Sequence, residues 1–237
     1  MTDLRLHFAP DTCGRVALIA LEEIGQPYEI DVVAFMRGDN RSTASLEINP
    51  GGKVPTLIVD GRPLTENVAI LSYLTERFPE GRLLPPADAF GRVLQLADLA
   101  FCASGLHPLV TRIRIPQYFC DQPEGCRRVF EMAEAAMTIN LGIVERRLAN
   151  DSWWYGKHWS IVEAYISWVW FRVTGTAFDA SGFPNLACHD RKIRERPSVR
   201  RALCRNDDVA DLLAAQGLQV RFDGPGAVSA CRKEELK

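Results

Sequence analysis

Apolar and polar positions follow two different periods along this chain. Leu4 to Phe8 alternates with period two and predicts a short strand. After the turn residues Ala9-Pro10-Asp11-Thr12, the apolar positions Val16, Ile19, Ala20 and Ile24 recur at helical spacing. They predict a helix from Cys13 to Ile24, stopped by Gly25. Tyr28 to Val33 predicts a second strand, and Phe35 to Ile48 is polar and irregular, with room for one helix. Val54 to Val59 is an apolar, β-branched run, and the Asp60-Gly61 pair behind it predicts a two-residue hairpin into a further short strand. A helix follows from Glu66 to Arg77. Past the cluster Pro79, Gly81, Pro85 and Pro86 the strand period disappears. Phe90 to Leu106, Pro123 to Leu148, Ser160 to Val173 and Asn185 to Arg196 predict helices, with shorter ones after Pro197 and a stop at Gly217.

The order strand, helix, strand, loop or helix, hairpin, helix is that of an α/β thioredoxin-like domain, expected over 1–79. An all-α C-terminal domain is expected over 87–217, with a C-terminal tail over 218–237. The 237 residues are 47% hydrophobic and 24% charged, with net charge −2 and a pI near 6.1. That composition suits a globular protein with a sizeable core and carries no basic field for nucleic acid or an anionic membrane. No apolar run is expected to reach the ~20 residues needed to span a bilayer, and Met1-Thr2-Asp3-Leu4-Arg5 has no signal-peptide core. Seven cysteines without regular spacing predict reduced thiols in a cytoplasmic setting. No Cys/His spacing matches a metal site.

Two segments carry candidate chemistry. Cys13 lies where the first strand passes into the first helix. A helix N-terminus stabilises thiolate over thiol, lowering such cysteines to roughly 3.5–7.5 from about 8.5, and Arg15 offers a further positive charge. Position +3 is Val16, so the thiol has no C-x-x-C partner and needs an external thiol. The second segment is Asn49-Pro50-Gly51-Gly52-Lys53-Val54-Pro55-Thr56-Leu57. A cis-Pro55 there would turn the N–H and C=O of Val54 outward, free to pair with an extended peptide. The helix after Glu66 would offer unpaired N–H groups to a carboxylate. Together these features suit a small peptide with an α-amino-acid end. Farther on, Ser160-Ile161-Val162-Glu163 has capping-box spacing, with the Ser160 side chain taking the Glu163 N–H and Glu163 reaching back.

From Asn49 to Leu74 the chain resembles the glutathione S-transferase family, whose pattern reads N-P-x-G-x-V-P-x-L and then L-x-E-S-x-A-I-x-x-Y-L. Asn67 stands where the family has Ser. The Ser160–Glu163 box is similar to the family's Ser/Thr-x-x-Asp. Asp11-Thr12-Cys13-Gly14 resembles the Pro-x-Ser-Cys-Ser of the bacterial beta class, with Gly14 for the second Ser. Ala103-Ser104 and His107 resemble that class's Ala-Ser-x-x-His, here followed by Pro108, where the helix is expected to end.

The resemblance implies glutathione as co-substrate. Its γ-glutamyl end would lie at Glu66 and Asn67, its cysteinyl unit against Val54 held by Pro55, and its glycyl carboxylate near Lys53. Either Cys13 or Thr12 would meet the glutathione sulfur, and His107 would face an apolar or aromatic electrophile. The implied activities are conjugation of glutathione to such electrophiles, or glutathionyl exchange through Cys13. Ether cleavage or dehalogenation of aromatic compounds, and a non-enzymatic binding or regulatory role, stand as alternatives. A homodimer is expected. Of the aromatic residues from Trp153 to Phe171, most are expected to pack a core and some to line an apolar cleft.

Overall fold

Leu4, Leu6 and Phe8 bury one side of the first strand while Arg5 and His7 stay at its other face, the period-two pattern read from the sequence. The computed structural model describes residues 2–151 and 153–219, and packs them as two compact units, one of residues up to 88 with those from 194 onward, the other of residues 89–193. In the first unit, β1 (Leu4–Phe8) pairs parallel with β2 (Glu29–Val32) and antiparallel with β3 (Thr56–Val59), and β4 (Arg62–Thr65) closes a sheet of order β2-β1-β3-β4. The register sets Leu6 opposite both Ile30 and Leu57. Asp60 (φ 47°) and Gly61 (φ 77°) both take the left-handed conformation that a two-residue hairpin turn requires.

Helix α1 (Gly14–Ile24) is buried at every position but Glu23 and ends on Gly25 at φ 67°. Two 3₁₀ turns and α2 (Thr43–Ile48) occupy the irregular stretch, with Ser42 Oγ capping α2 by accepting the Ser45 N–H at 3.2 Å. Helix α3 (Asn67–Arg77) buries Ile70, Leu71 and Leu74.

The second unit is helical: α4 (Ala89–Ala100), a π-helical turn (Phe101–Leu106), α5 (His107–Arg114), α6 (Pro123–Leu148), α7 (Ile161–Thr174) and α8 (Pro184–Arg194). Helix α7 is its centre, buried at almost every position.

Two local expectations fail here. The helix does not end at Pro108 but runs on to Arg114, because the π turn before it already departs from i→i−4 pairing and Pro108 sits in the first turn of α5, where a missing N–H costs least. The capping box does not close either. Ser160 Oγ points to Glu163 Oε1 at 3.3 Å, while Glu163, one methylene longer than Asp, reaches past the cap. Its carboxylate accepts the Trp154 N–H at 2.8 Å and meets His189 Nε2 at 2.8 Å.

The run Ala89–Arg114 is long and apolar enough by length and composition to cross a membrane, with 28% of its apolar window buried. Arg92 and Asp98 interrupt it, Gln95, Leu99 and Cys102 form its buried side, and Phe90, Val93, Leu94 and Leu96 are exposed.

After Pro197, where shorter helices are expected, one 19-residue helix forms, α9 (Pro197–Ala215). No Gly or Pro interrupts it before Gly217, and Ala, Leu and Arg favour the helix throughout. It packs on α1 with Val199, Ala202, Asn206, Val209 and Leu213 buried. Glu22 of α1 accepts from Tyr28 Oη at 2.6 Å and from Arg201 and Arg205, and Glu23 pairs with Arg196 and Ser198. The tail expected over 218–237 lies outside the described residues beyond 219.

Burial alone would raise the Glu22 carboxyl, but the bonds from Tyr28 and Arg201 and the charge of Arg205 outweigh it and hold the group below its ordinary value of 4.5. A depressed carboxyl stabilises the fold above its unfolded pKa and loses that contribution as pH falls through the folded one. Glu22→Gln should therefore lower unfolding free energy by about 2 kcal/mol at neutral pH, and the two proteins should converge in acid. Urea titrations at pH 7 and pH 3 check this; a constant difference at both would contradict it.

Candidate active site

The turn between β1 and α1 is built from its own polar groups. Asp11 takes φ 61°, a left-handed conformation disfavoured for a residue with a Cβ. Thr12 Oγ1 donates to the Ala9 carbonyl at 2.7 Å and accepts the Gly14 N–H at 3.2 Å, bracing the turn from inside. Cys13 is the N-cap residue of α1 and is half-buried. Its thiol donates to the Val54 carbonyl at 3.5 Å, and its own carbonyl accepts from Asn67 Nδ2 at 2.9 Å. Three segments far apart in sequence thus meet at one residue.

The departure from the family's second Ser has a steric cause. A Cβ on Gly14 would lie 2.9 Å from the ring of Phe8, which is fully buried in the core.

Val54 precedes a cis peptide bond to Pro55, as expected. The loop before it is held by Asn49, whose side chain accepts the Gly51 N–H at 3.0 Å and donates to the Lys53 carbonyl at 2.9 Å and to Thr56 Oγ1 at 3.1 Å. Lys53 itself is exposed. Gly52 sits at φ 58°, and a Cβ there would come within 2.9 Å of the Asn40 carbonyl. Glu66 caps α3 at φ 67° with its side chain exposed at the helix N-terminus. Asn67 is buried, and its Oδ1 has no hydrogen-bond partner among the described residues.

The structure thus brings Thr12, Cys13, Val54, Pro55 and Asn67 together, with Lys53 and Glu66 beside them in sequence. His107 belongs to the helical unit. Its Nδ1 lies 3.0 Å from Tyr165 Oη and its ring stands edge-on to Trp168, 4.6 Å between centroids. Tyr165, Trp168, Trp154 and Trp170 are buried core residues. Arg15 is buried in the first turn of α1. It pairs with the Asp11 carboxylate at 2.5 Å, and its burial pulls the guanidinium below its ordinary value. Burial also pushes the Cys102 thiol far up, leaving it inert. Among the described residues no cluster of His, Cys, Asp or Glu could hold a metal.

One residue of this site escapes a reading by motif. Asn206 of α9 is 1% exposed; its Oδ1 accepts the Asp11 N–H at 2.8 Å, and its Nδ2 donates to Asp11 Oδ1 at 3.2 Å and Asp207 Oδ1 at 3.1 Å. The signal was available: an amide interrupts the otherwise apolar stripe Val199, Ala202, Val209 and Leu213.

The family model of the glutathione S-transferase N-terminal domain matches residues 12–77. The chain is 29% identical over 222 residues to glutathione S-transferase GstA of Escherichia coli O157:H7, covering 91% of this chain and 100% of that protein. It is 39% identical over 98 residues to a probable maleylacetoacetate isomerase of Caenorhabditis elegans, covering 41% of this chain and 45% of that one. The solved bacterial beta class glutathione S-transferase of Sphingomonas chungbukensis superposes with a TM-score of 0.74 at 28% identity, over 85% of this chain and 98% of that one.

The Phe8 contact makes a prediction. Gly14→Ser should cost about 1–3 kcal/mol by overpacking, and in a Phe8→Leu background the added cost should shrink. Denaturant titrations of the four proteins of this cycle check it; strictly additive effects would contradict the steric account.

Proposed function

Because this chain belongs to the glutathione S-transferase family, we propose that it is a glutathione-dependent enzyme in which Cys13 accepts and passes on a glutathionyl group. The observation that carries this reading is the seat of the Cys13 thiol, at the N-cap of α1 and against the Val54 carbonyl. That carbonyl belongs to the backbone edge suited to the cysteinyl unit of a bound peptide, so a glutathione sulfur arriving there meets the thiol. Thr12 already commits its hydroxyl proton to Ala9, which leaves the sulfur chemistry to Cys13 and gives Thr12 the task of shaping the turn.

In this reading residues 1–79 carry the glutathione site and 87–217 the site for the apolar partner. The exposed Glu66 carboxylate takes the γ-glutamyl ammonium, and the leading N–H groups of α3 take its α-carboxylate. The unpartnered Asn67 Oδ1 supports this, as an acceptor left for an incoming donor. Lys53 receives the glycyl carboxylate.

Exchange then runs in two displacements. The Cys13 thiolate attacks the glutathionyl sulfur of a mixed disulfide; the Cys13–glutathione bond forms, the old S–S bond breaks, and the released thiolate takes a proton. A second glutathione, as thiolate, attacks the glutathionyl sulfur on Cys13, giving glutathione disulfide and restoring the Cys13 thiolate. Full-length similarity to a protein named glutathione S-transferase supports a second reading on the same site, attack of bound glutathione thiolate on an apolar electrophile near His107. Cys102, Cys120, Cys126, Cys188 and Cys204 are free thiols like Cys13, which suits a reducing cytoplasm.

We also assign this enzyme a homodimeric state. Helix α4 exposes Phe90 (72%), Val93 (60%) and Leu94 (51%), and α6 exposes Met132 and Ile139. Apolar faces of that extent mark association surfaces.

Two outcomes follow. Incubation with glutathione disulfide should add about 305 Da to the native protein as one mixed disulfide. Cys13→Ser should lose both adduct and exchange, while conjugation falls by at most about two powers of ten. Intact-mass spectrometry and a paired assay check this; exchange surviving in Cys13→Ser would remove the thiol from the mechanism. For assembly, Leu94→Glu should shift the sedimenting mass from dimer toward monomer, and a wild-type protein already monomeric at micromolar concentration would contradict the assignment.

A further inference from the structure

We propose that Asn206, on α9, is a positioning residue for the Cys13 thiol; as a statement about turnover this rests on the assignment of Cys13 as the glutathione-accepting group. Asn206 lies 195 positions from Asp11, yet two of its bonds go to that one residue. One accepts the Asp11 N–H and the other donates to its carboxylate, so backbone and side chain are gripped together. Asp11 is the residue of the turn that stands in the left-handed region, a conformation costly for a residue with a Cβ even though Asp tolerates it better than most.

The grip transmits directly. Asp11 is followed by Thr12, whose hydroxyl spans Ala9 and Gly14, and then by Cys13 at the helix N-cap. Were Asp11 to relax to an ordinary φ, the path from Ala9 to Gly14 would change and the thiol would leave the Val54 carbonyl. Arg15, a further partner of the Asp11 carboxylate, sits on α1 itself and moves with the turn. Asn206 does not. It sits on a helix whose register against α1 is set separately, by Arg196, Ser198, Arg201 and Arg205 on Glu22 and Glu23 at the far end of α1. It therefore provides an anchor external to the strand-turn-helix that bears the thiol.

An apolar residue would fill this core position with no polar group to satisfy. A buried amide is tolerated because its bonds are made, and here they are made to the turn beside the reactive residue. The groups assigned to glutathione, on Val54, Glu66 and Asn67, lie on other segments and do not depend on Asn206. Its loss should therefore act on the chemical step rather than on binding.

The test uses Asn206→Ala, Asn206→Asp, and Asn206→Asp combined with Asp11→Asn, in which donor and acceptor are exchanged and the grip is remade. Asn206→Ala should lower kcat for glutathionyl exchange about tenfold or more while KM for glutathione changes less than about twofold. It should also speed hydrogen exchange at the Asp11 amide. Asn206→Asp, which sets a carboxylate against that of Asp11, should lose at least as much, and the double variant should recover most of the rate. Unchanged kcat with unchanged Asp11 exchange, or a double variant no better than Asn206→Asp alone, would overturn the proposal. If Asn206→Ala does not fold, the comparison of the last two variants decides. If wild-type Cys13 takes up no glutathione, the functional assignment fails, and Asp11 amide exchange in the variants still reports whether Asn206 holds the turn.

Discussion

The structure of the first unit depends on the burial of α1. Ten of its eleven residues are enclosed, with α3 and α9 packed against it, and burying its apolar side chains stabilises the unit. Because a helix so enclosed cannot slide without opening the core, its N-terminus is a fixed point. The residue placed there, Cys13, inherits that fixity. A thiol on a surface loop would have to be ordered at each encounter; the Cys13 thiol is ordered by the fold.

Around that fixed point the same few bonds define the backbone and the site. The Cys13 carbonyl is tied to Asn67 at the head of α3, the Cys13 thiol to the Val54 carbonyl at the entry to β3, and the preceding turn to α9 through Asn206. Each tether comes from a different segment. A ligand that spans the Val54 edge and the N-terminus of α3 would touch two of the segments that meet at the thiol. The Asp11 carboxylate is paired with Arg15, and the helix N-terminus sets its partial positive charge beside the thiol.

Much of this could be read from the chain. The period-two runs, the Asp60-Gly61 turn, Gly25 after α1 and the Val54-Pro55 pair are local signals, and local geometry decides them. The candidate residues Cys13, Val54, Pro55, Glu66 and Asn67 came from motif and from resemblance together. What stayed hidden was long-range or a matter of degree. Pro108 usually ends a helix, and only the π turn before it lets this one continue. Glu163 has the spacing of a cap, but its extra methylene meets Trp154 and His189 instead. Arg15 also pairs with the Asp11 carboxylate one turn back, a contact its position beside the thiol does not announce. Asn206 looks like an ordinary amide on an amphipathic helix until α9 is docked on α1. No periodicity encodes which two helices will meet.

The central claim is that the fold presents Cys13 to a glutathione sulfur along the Val54 edge. A crystal structure of the protein treated with glutathione disulfide tests it most directly. Density continuous from Cys13 Sγ to a glutathione sulfur, with the γ-glutamyl end at Glu66 and Asn67, is the predicted result. Glutathione bound there with its sulfur against Thr12 Oγ1 and Cys13 unmodified would contradict it.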